Sequence, residues 1–207
     1  MNWRDEGYLL SKSNFDENSI IIETFTQDHG KYSGIVYGGS SRKKKKIFQI
    51  GNKILLNWKS KNENKMGYFD VELISPVSPL FFDNKKKIAC ILSASSLLKI
   101  LLPERQINKK IYKVFDEFIC KLNDDNWIIL YILWELSLIN DLGFETNLTN
   151  KKTPSIINLK KMSNYNNLEI NEALIFNKKL FLDIFFLPYN LRIPLSRILL
   201  EKYYIKE

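Results

Sequence analysis

Cysteine and histidine are almost missing from this sequence: 207 residues hold two Cys and one His. Cys90 and Cys120 are far apart, form no Cys-x-x-Cys pair and lie in apolar stretches, where a free thiol behaves as a small buried hydrophobe. Neither a disulfide framework nor a zinc site is expected, and a reducing compartment is. His29 lacks the second histidine or cysteine that a metal site or a Ser-His-Asp arrangement would need, so Asp28-His29-Gly30 reads as a turn. The stretch Gly38-Gly39-Ser40-Ser41 lacks the GxxxxGK[ST] spacing of a nucleotide-binding loop. An unbroken apolar run of membrane length is also missing. The stretch 127–144 is interrupted by Glu135, Asn140 and Asp141, so it reads as a buried core helix. Arg4, Asp5 and Glu6 break any early apolar run, and no secretory leader is expected. The carboxylate pairs Asp5-Glu6 and Asp16-Glu17 have no catalytic motif around them and read as polar turns ahead of strands. No constellation supports an enzyme.

What is present is positive charge on an ordinary globular background. The apolar fraction is 45%, enough for a packed core, and the net charge of +8 favours a polyanionic partner. A bias toward Lys, Ile and Asn throughout the chain would also raise the charge, so location says more than total. One run stands out: Arg42-Lys43-Lys44-Lys45-Lys46, next to the glycine- and serine-rich stretch.

Residues 1–79 read as five short strands. Gly7 to Lys12 is the first; Ser19 to Thr26, rich in β-branched residues, is the second. Lys31 to Tyr37 is the third, followed by a flexible loop that carries the lysines. Ile54, Leu56 and Trp58 alternate with polar residues, as do Phe69, Val71 and Leu73, giving the fourth and fifth. Five strands at this spacing suit a small closed barrel of the OB type. Ser75-Pro76-Val77-Ser78-Pro79 is a stiff linker into an all-α part, residues 80–207. Helices are predicted over Ile88–Leu102, over 111–122, over Trp127–Leu142 with Gly143 as the stop, over Ala173–Phe186 and over Leu195–Tyr204. Asp124-Asp125 suit the start of the third helix, and the Asn- and Lys-rich stretch 149–172 reads as loops or a short hairpin.

Several strings, in this order and spacing, resemble RecO, the bacterial DNA-repair and recombination mediator family, particularly its alphaproteobacterial members. They are Trp3-Arg4-Asp5-Glu6-Gly7, Glu17-Asn18-Ser19, Glu23 to Gly30, Gly38 to Arg42, Gln49-Ile50-Gly51-Asn52 with Trp58, Leu101 to Arg105, Trp134-Glu135-Leu136, and Leu142-Gly143-Phe144, with a weaker echo over Pro194–Leu200. The resemblance implies an α+β chain: an N-terminal five-stranded OB-fold barrel followed by an all-α helical domain. It further implies binding to single- and double-stranded DNA, annealing of complementary strands, and work with RecR and single-stranded-DNA-binding protein (SSB) to load RecA, in the cytoplasm at the nucleoid. Two departures stand out. The four-cysteine zinc module of many relatives is absent, since residues 149–172, with Lys151 near the place of its first Cys, contain no Cys or His. Where relatives often carry an arginine just before the aromatic–Glu–Leu triplet, in the region that receives the acidic SSB tail, this chain has Leu133. Docking there would have to draw its charge from another residue.

The candidate DNA contacts are Arg42, Lys43, Lys44, Lys45 and Lys46, with Lys31, Lys53 and Lys59 continuing the track beside Lys12 and Lys61. Lysines contact phosphates and not base edges, so binding independent of sequence is predicted, with a salt slope of roughly −0.7 per contact on single strands. Tyr32, Tyr37, Tyr68 and Phe69 are candidate stacking platforms or, alternatively, core and cross-strand residues; Trp3 and Trp58 are assigned to packing. Arg105 and Lys109, between two apolar helices, are candidate contacts for a partner. Two other readings stay open: an RNA-binding OB protein, and a protein–protein adaptor without nucleic-acid affinity.

Overall fold

In the computed structural model, residues 2–42, 44–61, 66–144 and 165–205 are described. The chain divides into two compact units, Met1–Tyr112 and Lys113–Glu207.

The first unit is built on strands β1 (Asn2–Asn14), β2 (Ile20–Thr26), β3 (Gly30–Val36), β4 (Lys53–Lys59) and β5 (Gly67–Ser75). They close into a barrel in the order β1-β2-β3-β5-β4, with β1 also pairing β4 and a short parallel joint between β3 and β5. This is the OB arrangement expected from the sequence. Period-two patterning fills the interior: Leu9, Ile20, Ile22, Val36, Ile54, Leu56, Trp58, Phe69 and Val71 are buried together. β1 starts earlier than the sequence implies. Asp5 and Glu6 lie inside the strand, with Asp5 buried and Glu6 exposed, so they do not form a polar lead-in. Asp5 is covered because it holds the β2–β3 turn: it accepts the Asp28 N–H at 2.8 Å and lies 2.8 Å from His29 Nδ1.

A 3-10 turn over Ser78–Phe81 leads to helix α1 (Lys85–Leu101), which starts at the Asn84 cap and packs on β1. Gly51, at φ +87, sits so close to α1 that a Cβ would lie 2.3 Å from Ile91 Cγ2. Helix α2 (Lys109–Cys120) brings Tyr112 against Tyr8 and Phe25, whose rings lie outside the barrel.

In the second unit, α3 (Trp127–Asp141) is buried almost all round, and α4 (Asn167–Phe181) continues as a π-helical turn over Leu182–Phe186 before α5 (Leu195–Lys202). Gly143, at φ +96, follows the end of α3 as expected. Three readings need correction. Cys120 is exposed, not buried, because it falls on the outer side of the last turn of α2; Cys90 is buried. α4 begins at Asn167, ahead of Ala173, because Asn166 and Glu169 form a reciprocal capping box. At the start of α3, Asp124 accepts the Trp127 N–H through its backbone carbonyl, and no acidic residue stands in the first turn. Most of the insert at 149–172 lies outside the described residues.

The buried polar centre of this unit is Glu135 on α3. Its carboxylate receives the Tyr131 hydroxyl at 2.7 Å, Asn177 Nδ2 at 3.0 Å, and Arg197 through both Nε and Nη2, the latter at 3.2 Å. Burial works against the Arg197 charge, but the carboxylate of Glu135, with Tyr131 and Glu201, outweighs it and raises the guanidinium pKa above its ordinary value.

Candidate nucleic-acid interface

The basic segment sits between β3 and β4, and it is anchored where the sequence reading expects a flexible loop. Successive turns run along it: the Lys44 and Lys45 N–H groups donate to Ser41 O, and Ile47 and Phe48 donate to Lys44 O. Phe48 is buried in the barrel core and fixes the far end of the segment. Asn52, fully buried, donates through Nδ2 to Lys46 O at 3.2 Å and Ile47 O at 3.0 Å, and accepts the Val77 N–H at 2.9 Å. Lys12 Nζ donates to Phe48 O at 2.6 Å, Gln49 Nε2 to Lys45 O at 2.9 Å, and Ser78 Oγ to Ile50 O. Side chains that satisfy backbone carbonyls in this way hold the segment in one shape.

On this scaffold Arg42, Lys45 and Lys46 are exposed and Lys44 is half-buried; Lys43 lies outside the described residues. Lys12 joins them. Its pKa is lowered by burial and by the positive charge of Lys45, so the two ammonium groups share one patch.

The other candidates separate. Lys31 turns toward α1, donating to Lys99 O at 2.7 Å, and burial lowers its pKa. Lys53 lies 3.7 Å from the Glu6 carboxylate and over the Tyr8 ring. Lys59 is exposed at the far end of β4, and Lys61 is exposed beyond it. Arg105 lies over the Tyr32 ring at 5.5 Å and its N–H donates to Lys31 O, while Lys109 Nζ meets Asp28 at 2.7 Å. The structure therefore joins Arg105 and Lys109 to the rim of the barrel around the β2–β3 turn.

The aromatic candidates separate too. Tyr32 and Phe69 pack with Trp3 and Trp58 in one cluster, and His29 stacks on Trp3 at 4.1 Å. Tyr37 and Tyr68 stay exposed. A cleft of about 450 Å³ in this unit is lined by Asp5, Glu6 and Asp28 alongside Arg4, a poor setting for phosphate. In the second unit, α2 and α3 enclose a cleft of about 250 Å³ lined by Phe118, Leu130, Leu133 and Trp134, with Lys121 and Glu117 at its edge.

Sequence reasoning missed Asn52 as the bracket of the basic segment and Lys12 as its neighbour in charge. No local pattern marks the first, because the burial of Asn52 exists only once the barrel has closed. Among the described residues no group of His, Cys, Asp and Glu is placed to hold a metal ion, and no helix is long and apolar enough to cross a membrane.

Two family profiles match the chain: Recombination protein O N terminal over residues 1–77 and Recombination protein O C terminal over residues 84–152. Curated relatives share the match. The DNA repair protein RecO of Roseobacter denitrificans is 34% identical over 145 residues, covering 70% of this chain and 60% of the relative. That of Cereibacter sphaeroides is 36% identical over 149 residues, covering 72% and 62%. That of Hyphomonas neptunium is 34% identical over 151 residues, again covering 72% and 62%. The chain thus spans about 60% of the length of the relatives it matches.

Proposed function

The chain belongs to the RecO family of DNA repair proteins, and from that premise we propose that it is a recombination mediator that holds DNA and makes or breaks no bond. The anchored basic segment carries this reading. Arg42, Lys45 and Lys46 project from a backbone whose carbonyls are tied down by Lys12, Gln49, Asn52 and Ser78. Lys44, half-buried, belongs to the same positive segment, and Lys59 offers a separate cation at the far end of β4. Long cations on a fixed loop neutralise phosphates without reading base edges, so single and double strands of any sequence are bound. Annealing follows when two strands, their mutual repulsion screened, are held close together.

The cleft between α2 and α3 is the proposed seat of the SSB tail. Lys121 supplies the positive charge that the family places at the position of Leu133, and Phe118, Leu130, Leu133 and Trp134 receive the tail's apolar tip. RecR and, indirectly, RecA complete the set of proposed partners, and the proposed place of action is the nucleoid.

Fluorescence anisotropy of labelled single- and double-stranded oligonucleotides, titrated across several salt concentrations, tests the central reading. Binding is expected to weaken steeply with salt and to ignore base sequence. The combined Lys44→Ala, Lys45→Ala, Lys46→Ala variant is expected to bind more weakly and to flatten the salt slope by about 2 on single strands. An unchanged slope would remove the segment from the interface, and tighter binding to RNA of the same sequence would favour the RNA-binding reading.

A further inference from the structure

The outer face of the barrel holds aromatic surface that neither the basic segment nor the core accounts for. Tyr37 is 60% exposed and Tyr68 41% exposed, and their ring centroids lie 5.9 Å apart. Tyr68 belongs to the joint between β3 and β5, where Gly34 pairs Gly67 and Ile35 pairs Tyr68, and Tyr37 follows the last residue of β3. The two glycines leave room inside for Phe69 and Trp58, since a Cβ on either would lie within 2.6 Å of those rings. The strands come close, and the tyrosines are left side by side on the outside.

Their surroundings are polarised. One row of paired residues crosses the barrel wall here: Lys59 on β4, Tyr68 on β5, Ile35 on β3, Ile21 on β2 and Ser13 on β1. Ile21 and Ile35 are half-buried, so the row is an apolar strip with a lysine at one end. Tyr37 adjoins the strip and leads directly into Gly38 and the basic segment. Along the outer face of β5 the charge changes sign, with Asp70 and Glu72 both exposed beyond Tyr68. A phosphate chain lying on the strip is therefore favoured at its Lys59 end and repelled from Asp70 and Glu72.

We infer that Tyr37 and Tyr68 form a stacking platform for the unpaired bases of a single strand, beside the phosphate-binding segment. A base stacks on an exposed aromatic ring through its π-face whatever its identity, and flanking cations hold the backbone in place. A duplex hides those faces within its own stack, so the platform favours single strands while the lysines serve both forms. The inference rests on the DNA-binding reading above and adds to it the basis of preference between the two forms.

The test compares an unpaired thymidine oligonucleotide with a hairpin duplex of equal phosphate number, by anisotropy at fixed salt. Tyr37→Ala/Tyr68→Ala is expected to lose about fivefold or more in affinity for the single strand, with duplex affinity and both salt slopes unchanged. Tyr37→Phe/Tyr68→Phe keeps the rings and is expected to bind like the parent. Unchanged duplex binding by the alanine variant also reports that the barrel is folded. Equal loss on both DNA forms, or loss on neither, would overturn the platform and leave the basic segment standing. If the parent protein binds neither DNA at low salt, the DNA-binding reading falls, and the platform with it.

Discussion

Replacing Glu135 by leucine removes the carboxylate on which the second unit's buried polar groups converge. Arg197 is 1% exposed and would keep its charge, bonded only to Leu174 O at 2.7 Å, with Nη1 3.6 Å from Glu201. The Tyr131 hydroxyl would lose its bond to Glu135, and Asn177 Nδ2 one of its two acceptors. Breaking a buried pair by deleting one partner costs about 3–5 kcal/mol, chiefly because the surviving charge stays desolvated. Against a total stability of roughly 5–15 kcal/mol for a domain, that is a large share of the whole. Removing both charges is a different perturbation. Glu135→Leu/Arg197→Met trades the ion pair for apolar volume, which is often neutral or even stabilising. The double variant should therefore recover at least half of the single variant's loss. Urea unfolding monitored by tryptophan fluorescence, to which Trp127 and Trp134 of this unit contribute, with circular dichroism as a second probe, measures both. If single and double variants lose the same stability, the cost lies in packing and the argument from an orphaned charge is refuted.

Other perturbations follow from the same geometry. Asn52→Leu would leave Lys46 O, Ile47 O and the Val77 N–H without their partner, at about 1–3 kcal/mol for each buried group left unsatisfied. Thermal unfolding should show that loss, together with weaker DNA binding although no lysine has changed. Burial alone would raise the Glu23 carboxyl, but the bonds from Lys99 and Ser11 outweigh it and hold the pKa below its usual range. A depressed carboxylate adds stability above its unfolded pKa and loses it as pH falls through the folded one. Glu23→Gln should therefore be less stable than the parent at neutral pH, with the gap closing in acid; a constant gap across a pH series of denaturation curves would count against this. Lys121→Glu is expected to abolish capture of an acidic peptide with an apolar tip, measured by calorimetry, while oligonucleotide binding is unchanged.

Much of the barrel was legible because each strand carries its own period. Ile54, Leu56 and Trp58 alternate with polar residues on β4, and a half-buried strand needs no distant partner to declare itself. Trp3 to Glu6 hid the start of β1 because a carboxylate occupies an inward slot, and Asp5 is covered only where the β2–β3 turn meets it from 23 residues away. The basic segment was visible as charge but not as shape. Its form depends on Asn52 and Phe48, whose roles appear only once the barrel has closed around them. Of the aromatic candidates, composition could not separate Tyr32 and Phe69, which face inward, from Tyr37 and Tyr68, which stay wet. The pairing of Glu135 with Arg197 spans 62 residues, and no local pattern marks it. The start of α4 could have been read from the Asn166 to Glu169 spacing, a local signal hidden in an Asn-rich stretch.

The side-chain bonds that hold the basic segment end on main-chain oxygens: those of Lys45, Lys46, Ile47, Phe48 and Ile50. Each of these residues offers the same carbonyl whatever side chain it carries. The anchor is thus blind to the identity of the residues it displays, apart from Phe48, whose ring fills the core. Positive charge can be added, removed or moved along the segment over generations without refolding the barrel. Affinity for a polyanion and stability of the fold are therefore open to separate adjustment, even though the residues that govern them are neighbours in the chain.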